Sequence, residues 1–182
     1  MTRRNAYYRR PENYVAVPYK AEHLAYLAGI IDGEGCFWIG KLKQKERPLP
    51  QWRGLLKIDN TDKKLFEWID QYFGGTSSAR TRSTSSRKFE REIHTWTFTG
   101  DRLMNICEQV LPYLVIKKEH CENMIKFRKT FNHKLGTWQV SDETNKIRQE
   151  CLEASRKLNS RWYLHPLKHN SDPNPSPLLP VS

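Results

Sequence analysis

The segment LAYLAGIIDGEGCF, residues 24–37, constrains the fold more than any other part of the chain. It is apolar enough for a buried helix, yet it contains Gly29, Gly33 and Gly35 and ends with Asp32 and Glu34. A glycine inside a helix costs about 1 kcal/mol relative to alanine, and a carboxylate at a helix C-terminus faces the negative end of the helix dipole. Both features therefore require a compensating role.

The spacing of the glycines predicts a closely packed helix pair. Gly29 and Gly33 are on one side of the helix, where the missing Cβ lets a second backbone approach. Two such helices bring the carboxylates beyond them together, and converging carboxylate oxygens suit Mg²⁺. The same residues are also explained by a turn that ends the helix and binds no metal. The sequence of this segment alone leaves both interpretations open.

The charge of the chain indicates a polyanionic partner. The 182 residues include 31 Lys and Arg against 20 Asp and Glu, which gives a formal charge of +11. Such an excess favours nucleic acid first and an anionic membrane surface second, although a well-solvated basic surface without such a partner has the same composition. With this length and 37% hydrophobic residues, one domain with its own core is expected.

The cysteines indicate the compartment. They lie far apart without a CxxC pair, at Cys36, Cys107, Cys121 and Cys151. We expect reduced thiols in a cytoplasm-like compartment, either a bacterial cytoplasm or an organelle matrix, because no signal peptide precedes them. No apolar run has the length of a membrane span, so we expect a soluble protein without a membrane partner.

Hydrophobic periodicity over residues 19–163 predicts one α+β domain with an antiparallel sheet, in the order αββαββα with extra C-terminal helices. Helices are expected at 21–33, from a cap at Thr61 or Asp62 to Gly74, from 103 to Pro112, at 117–131 and at 142–160. Strands are expected at 36–45, 51–59, 76–82 and 90–99. Residues 1–18 are expected to form an N-terminal arm, and the proline-rich residues 164–182 a disordered tail.

Basic residues mark the predicted sheet and its second hairpin. The candidate DNA-binding residues are Lys41, Lys43, Arg53, Lys57, Arg80, Arg82, Arg87, Lys88 and Arg91. A sheet face of basic and hydroxyl side chains suits phosphates and base edges in a major groove, whereas ordinary solvent-exposed faces give the same pattern. Because the apolar alternation drifts between Phe37 and Lys41, we also expect a bulge in the first strand.

Three blocks resemble one family. LAGIIDGEG, residues 27–35, resembles the signature of the LAGLIDADG homing endonucleases, with Glu in place of the second Asp. Two further stretches resemble blocks of the single-motif members, IDNTDKKLFEWIDQYFGG at 58–75 and LPYLVIKKEHCENMI at 111–125. The resemblance implies a saddle of β-strands over the DNA major groove and staggered, Mg²⁺-dependent cleavage of both strands of a long target. It also implies that Mn²⁺ substitutes for Mg²⁺ and that Ca²⁺ supports binding without cleavage.

The resemblance implies a role for each matching residue. Glu34 falls on the family's catalytic metal-binding acid, with the Gly33 carbonyl and, at lower rank, Asp32 as further metal ligands. Each DNA strand requires its own acid, yet the chain contains no second motif of this kind. A symmetric homodimer on a target with some two-fold character is therefore expected. Its predicted interface residues are Leu24, Leu27, Ala28, Gly29, Ile31 and Asp32.

Three further positions complete the predicted catalytic set. Asp59 falls where relatives often have glutamine, so it either orders water or binds metal more directly. Lys63 and Lys117 fall on basic residues that would add positive charge at the reacting phosphate. Without the resemblance, the sequence favours a plain solvent-exposed helix residue for each lysine.

Other functions fit parts of the pattern. A maturase that binds intron RNA and a DNA-binding regulator without catalysis are family alternatives, and a small basic ribosome-associated protein is an unrelated one. Glu34 together with Lys63 and Lys117 argues against a purely binding role, and the unrelated alternative leaves the DGEG turn unexplained. We therefore predict a site-specific homing endonuclease encoded in a mobile group I intron.

Overall fold

The computed structural model describes residues 18–42, 51–82, 91–131 and 141–160. Its helices and strands, in chain order, are α1 (Ala21–Glu34), β1 (Gly35–Leu42), β2 (Gln51–Asn60), α2 (Lys63–Phe73), β3 (Thr76–Arg82), β4 (Arg91–Thr99), α3 (Gly100–Val110), α4 (Lys118–Lys129) and α5 (Asp142–Ser160). This order confirms the predicted α+β class. The predicted arm up to residue 17, the predicted tail, and Lys43, Arg87 and Lys88 lie outside the described residues.

The strands form one antiparallel sheet in the order β1-β2-β4-β3. β1 pairs with β2 in unbroken register, from Gly35 opposite Ile58 to Leu42 opposite Gln51. The predicted bulge is therefore wrong over residues 35–42, and successive side chains alternate regularly between the two faces of the sheet.

Helices cover one face of this sheet, the inner face. Its strand side chains are buried in one core and comprise Phe37, Ile39, Leu56, Ile58, Trp96 and Phe98. They pack with apolar residues from α1 to α4, including Leu27, Ile69, Ile106 and Phe127. The alternate positions form the outer face, where the described side chains are exposed or half-buried apart from Thr95.

The ends of two helices follow their sequence signals. Asp62 is the N-cap of α2 and accepts a hydrogen bond from the backbone N–H of Lys64 at 2.9 Å. The helix stops before Gly74, whose φ of 60° lies in the left-handed region that favours glycine. α3 is followed by a short 3₁₀ helix that contains Pro112, the residue predicted to end it.

The described cysteines are free thiols, and only Cys36 is exposed, on the outer face of β1. Across the described ranges, no helix combines the length and the apolar character needed to cross a membrane.

Candidate active site and DNA interface

The predicted metal-binding acid lies at an exposed helix end. Glu34 is the last residue of α1 and Gly35 is the first of β1, so no loop separates helix from strand. Gly33 and Glu34 are both exposed. A helix C-terminus carries a negative partial charge, to which the Glu34 carboxylate adds, so this end of α1 attracts cations.

Asp32 binds the segment that leads into α4. Its two carboxylate oxygens accept hydrogen bonds from the backbone N–H groups of Val115, at 2.9 Å, and Lys117, at 2.8 Å. The Lys117 ammonium in turn donates to the carbonyl oxygens of Ile31, at 2.8 Å, and Asp32, at 3.0 Å. Asp32 therefore positions Lys117 at the end of α1, and its roles in metal binding and at a subunit interface stay predictions.

Lys117 is only 8% exposed, so it is not the solvent-exposed lysine that the sequence without the resemblance favours. Burial lowers the pKa of its ammonium, and the nearby carboxylates of Asp32 and Glu34 oppose that shift. The helix dipole and the two carbonyl acceptors stabilise the charge at this position. The fold thus brings Glu34 and Lys117 together at one helix end, while their catalytic roles remain predictions.

Asp59 lies on the outer face in the middle of the sheet. Its carboxylate forms an ion pair with Lys57 and accepts a hydrogen bond from the Thr95 hydroxyl at 2.5 Å. Thr95 is directly opposite Asp59 on β4 and was not among the predicted site residues. Only the pairing of β2 with β4, which joins distant parts of the chain, reveals this contact. A carboxylate held on both sides in this way suits the ordering of water better than direct metal binding.

Lys63 differs from Lys117 in its surroundings. Its side chain is 73% exposed, and its ammonium lies 3.2 Å from the Glu67 carboxylate one helical turn later. An exposed pair of this kind contributes about 0.3–0.5 kcal/mol. Among the described residues, no contact joins Lys63 to Glu34, so this predicted catalytic residue is not brought to the end of α1.

The outer face carries basic and hydroxyl side chains in neighbouring strands. Arg53 is exposed and Lys57 half-buried on β2, with Thr97 on β4 opposite Lys57 and Thr76 on β3 opposite Thr97. This combination is the one expected to contact phosphates and base edges. Arg80, Arg82 and Arg91 extend β3 and β4, but their side chains lie outside the described part of the chain.

Lys41 lies on the opposite face from Arg53 and Lys57. Its ammonium donates to Gln149 of α5 at 2.9 Å and sits 4.4 Å from the ring centroid of Trp52, which packs near Phe127 of α4. The prediction that Lys41 belongs to the DNA-binding face is therefore wrong. Its charge faces the helices because β1 keeps its register to Leu42.

Most of the predicted interface residues lie inside the chain's own core. Leu24, Leu27, Ala28 and Ile31 are at most 5% exposed, so they cannot contact a second subunit. The exposed side of α1 instead carries Glu22, Ala25, Tyr26, Gly29 and Gly33. Beyond the adjacent residues and the backbone of the helix itself, a Cβ added at Gly29 or Gly33 would meet no atom of the described residues within 4 Å. Of the predicted set, Gly29 is exposed and Asp32 is half-buried.

Several large apolar side chains are exposed, some of them on or next to α1. In the described ranges they are Tyr26, Tyr72, Tyr113, Val115 and Ile116, with Val115 reaching 84% exposure. Tyr72 packs against His23 of α1 at 3.9 Å between ring centroids, with the rings tilted, and the Val115 backbone is held by Asp32. The sequence signal for Val115 and Ile116, two β-branched apolar residues in a connection between helices, was overlooked. Tyr26 on α1 itself, with Tyr72 and Val115 held next to it, forms an apolar rim beside a helix face of small residues.

The oxygen atoms at the end of α1 are of the kind that binds a divalent metal ion, but they are few. Glu34 offers a carboxylate and Gly33 a carbonyl, both hard oxygen ligands of the kind Mg²⁺ prefers. Within the described ranges, no three His, Cys, Asp or Glu side chains come together as a metal site. Among the described residues, Glu34 and the Gly33 carbonyl are therefore the candidate metal ligands at this helix end.

The family follows from this arrangement and from the sequence match. The LAGLIDADG endonuclease model matches residues 27–130, more than half of the chain. The chain therefore belongs to the LAGLIDADG endonuclease family, whose members are DNA endonucleases that hydrolyse phosphodiester bonds. No curated protein sequence matches the chain significantly.

Solved structures of low sequence identity share the fold. I-CvuI in complex with its target in the presence of Ca is 20% identical with a TM-score of 0.51, over 76% of this chain and 95% of that one. I-GzeII in complex with a DNA target is 21% identical with a TM-score of 0.52, over 87% of this chain and 53% of that one. I-SmaMI, bound to an uncleaved DNA target in the presence of calcium ions, is 15% identical with a TM-score of 0.54, over 78% and 49%.

Proposed function

We propose that the protein is a site-specific homing endonuclease that makes a metal-dependent, staggered double-strand break in a long DNA target, and that a mobile group I intron encodes it. The observation that carries the proposal is the position of Glu34, exposed at the end of the motif helix and next to the buried ammonium of Lys117. The free thiols fit the reducing compartment proposed for it.

The active form is a homodimer built on the exposed side of α1. Ala25, Gly29 and Gly33 allow the backbones of two helices to approach, and the apolar rim around them gives the second copy a surface to bury. The match to almost the whole I-CvuI chain but to about half of I-GzeII fits a unit that acts in pairs. Two-fold symmetry then brings the two Glu34 carboxylates near each other.

Each protein group has a distinct task in the cleavage. Glu34 and the Gly33 carbonyl would hold Mg²⁺ or Mn²⁺, which makes a bound water more nucleophilic and neutralises charge on the phosphate. Lys117 uses two of its three N–H groups on helix carbonyls and directs the third towards a phosphate oxygen. Asp59, held by Lys57 and Thr95, orders the water that accepts the proton. Calcium would support binding without cleavage, as the uncleaved I-SmaMI complex suggests.

The test begins with selection of cleaved sites from a randomised DNA library by the wild-type protein in Mg²⁺. The Glu34→Gln variant keeps the size of the side chain but loses its charge, so it should bind the selected target with near-native affinity. We expect its cleavage to fall at least about a hundredfold, the low end for removal of one electrostatic catalytic group. Its folding stability should be equal or slightly higher, because a carboxylate leaves the negative helix end. Cleavage within tenfold of wild type would exclude Glu34 as the catalytic acid.

A further inference from the structure

Resting on the proposed function, we infer that an apolar pocket on the outer face of the sheet recognises the C5-methyl group of a pyrimidine, that of thymine first, in the DNA major groove. The pocket lies between β1 and β2 and has a volume of about 350 Å³. Its lining residues are Cys36, Trp38, Leu42, Arg53, Leu55 and Lys57. The residues proposed to contact the methyl group are Trp38 and Leu55.

Strand register places the apolar side chains together. Trp38 is directly opposite Leu55, and the indole lies across Gly40 on the same face. A Cβ built at Gly40 would be only 2.2 Å from the Trp38 ring, so glycine is the residue that lets the indole lie flat on the strand. Leu42 closes the far end of the pocket. The result is an apolar surface that is held in place by the backbone beneath it.

The pocket is unusual for its location. Burial of apolar surface stabilises a fold, yet Trp38 and Leu55 are only half-buried on the face that faces away from the core. Arg53, which is opposite Gly40, and Lys57, which is opposite Cys36, lie at its edge and can bind phosphate or guanine. This positive edge fits a polyanion and disfavours an apolar peptide or a lipid tail as the occupant.

The chemical groups exposed in duplex DNA indicate which of them the apolar pocket binds. Bases in a duplex are stacked, so their aromatic faces are not available to Trp38. The apolar group that the major groove does present is the methyl at C5 of thymine. Trp38 lies four residues beyond Glu34, about 13 Å along an extended strand, which corresponds to roughly four base pairs. The recognised position should therefore lie within about five base pairs of the cut, once in each half of the target.

The first test removes only the methyl group. In the selected target, we expect a retained thymine at one such position in each half-site, and deoxyuridine there should weaken binding about fourfold per half-site. Placing 5-methylcytosine instead of cytosine at the same position should strengthen binding by a similar factor if the methyl alone is recognised. A loss with deoxyuridine that 5-methylcytosine does not reproduce would assign the recognition to thymine as a whole base. No effect of deoxyuridine at any position would overturn the inference.

The second test uses protein variants on the same matched targets. Leu55→Ala removes pocket surface, and Gly40→Ala displaces the indole by adding one methyl group, so both should abolish the difference between thymine and deoxyuridine. Ser78→Ala, on the same face but on β3, should retain it. Leu55→Ala is informative even if Gly40→Ala fails to fold, and retained discrimination in Leu55→Ala would contradict the proposal.

Two other outcomes would contradict different parts of the proposal. Binding of single-stranded DNA as tight as that of the duplex, lost in Trp38→Ala, would show base stacking and overturn methyl recognition. Failure of the wild-type protein to cleave any library member would refute the proposed function itself. Because site selection precedes the methyl comparison, the two failures are distinguishable.

Discussion

Asp32 and Lys117 bind each other twice. The Lys117 backbone N–H donates to the Asp32 carboxylate at 2.8 Å, and the Lys117 ammonium donates to the Asp32 carbonyl oxygen at 3.0 Å. These bonds close a ring of contacts between the end of α1 and the start of α4. The ring fixes a buried cation beside the exposed Glu34.

Replacing Asp32 should loosen this ring. Asp32→Asn retains one acceptor oxygen, so one backbone N–H of Val115 or Lys117 loses its partner. We expect the free energy of unfolding to fall by about 0.5–1.5 kcal/mol, the net contribution of a typical hydrogen bond, because neither N–H group is fully buried. Urea denaturation measures the change, with Glu122→Gln on the exposed side of α4 as the control. Equal stability of Asp32→Asn and wild type would show that the ring contributes nothing.

The exposed side of α1 should decide the oligomeric state. The Cβ of Gly29→Leu has open space around it among the described residues, and leucine is a better helix former than glycine, so the monomer should remain folded. The added side chain should prevent the close approach of a second helix and leave a monomer in sedimentation, where wild type is a dimer. Glu122→Leu adds the same side chain to a different exposed helix face and should stay dimeric. A dimeric Gly29→Leu protein would place the interface elsewhere.

Removing one positive charge from each face of the sheet should show which face binds DNA. Arg53→Gln should weaken DNA binding and reduce the slope of log K against log salt by about one unit, provided that Arg53 contacts a phosphate. Lys41→Gln removes the same charge on the helix-covered face and should leave the slope unchanged. Titrations with one duplex at several salt concentrations measure both. Equal slopes for the two variants would contradict the assignment of the outer face to DNA.

Cysteine chemistry offers a test of the same face that requires no cleavage. Burial raises the pKa of the Cys107 thiol well above its ordinary value and also raises that of Cys151, so neither should form thiolate at pH 8. Cys36 is exposed beside Lys57 and should be the first thiol that N-ethylmaleimide modifies. We expect bound DNA to slow this modification and the modified protein to bind DNA more weakly. Mass spectrometry identifies the labelled residue, and labelling of Cys36 at the same rate with and without DNA would count against the outer face.

Local patterns were sufficient for the elements of the fold. The periodicity of α2 and its cap, for which Asp62 was one of two candidates, depends on neighbouring residues, so the helix begins where the sequence predicts. The alternation of threonines with larger residues along β4 likewise identified the strand and its two faces. These signals act within a few residues and need no knowledge of distant contacts.

Contacts between distant segments were not predictable in this way. The drift in the apolar pattern at Lys41 predicts a bulge, but β1 keeps its register with β2, and the lysine lies on the helix-covered face because Gln149 of the distant α5 accepts a hydrogen bond from its ammonium there. The apolar residues of the motif were assigned to an interface, whereas the chain's own core uses Leu27 and Ile31. Glu34 and Lys117 were identified by family resemblance, and only the fold reveals that Asp32 brings them together.

The direct passage from α1 to β1 fixes the distance between the site of cleavage and the site of base recognition. With no residue between Glu34 and Gly35, the chemistry at the helix end and the base contacts of the strand cannot slide relative to each other. A variant with altered Leu55 can therefore change its preferred base and still cut at the same offset from it. Inserting one residue after Gly35 would do the reverse, since it turns each later side chain of β1 to the other face and exchanges the reading surface for the core.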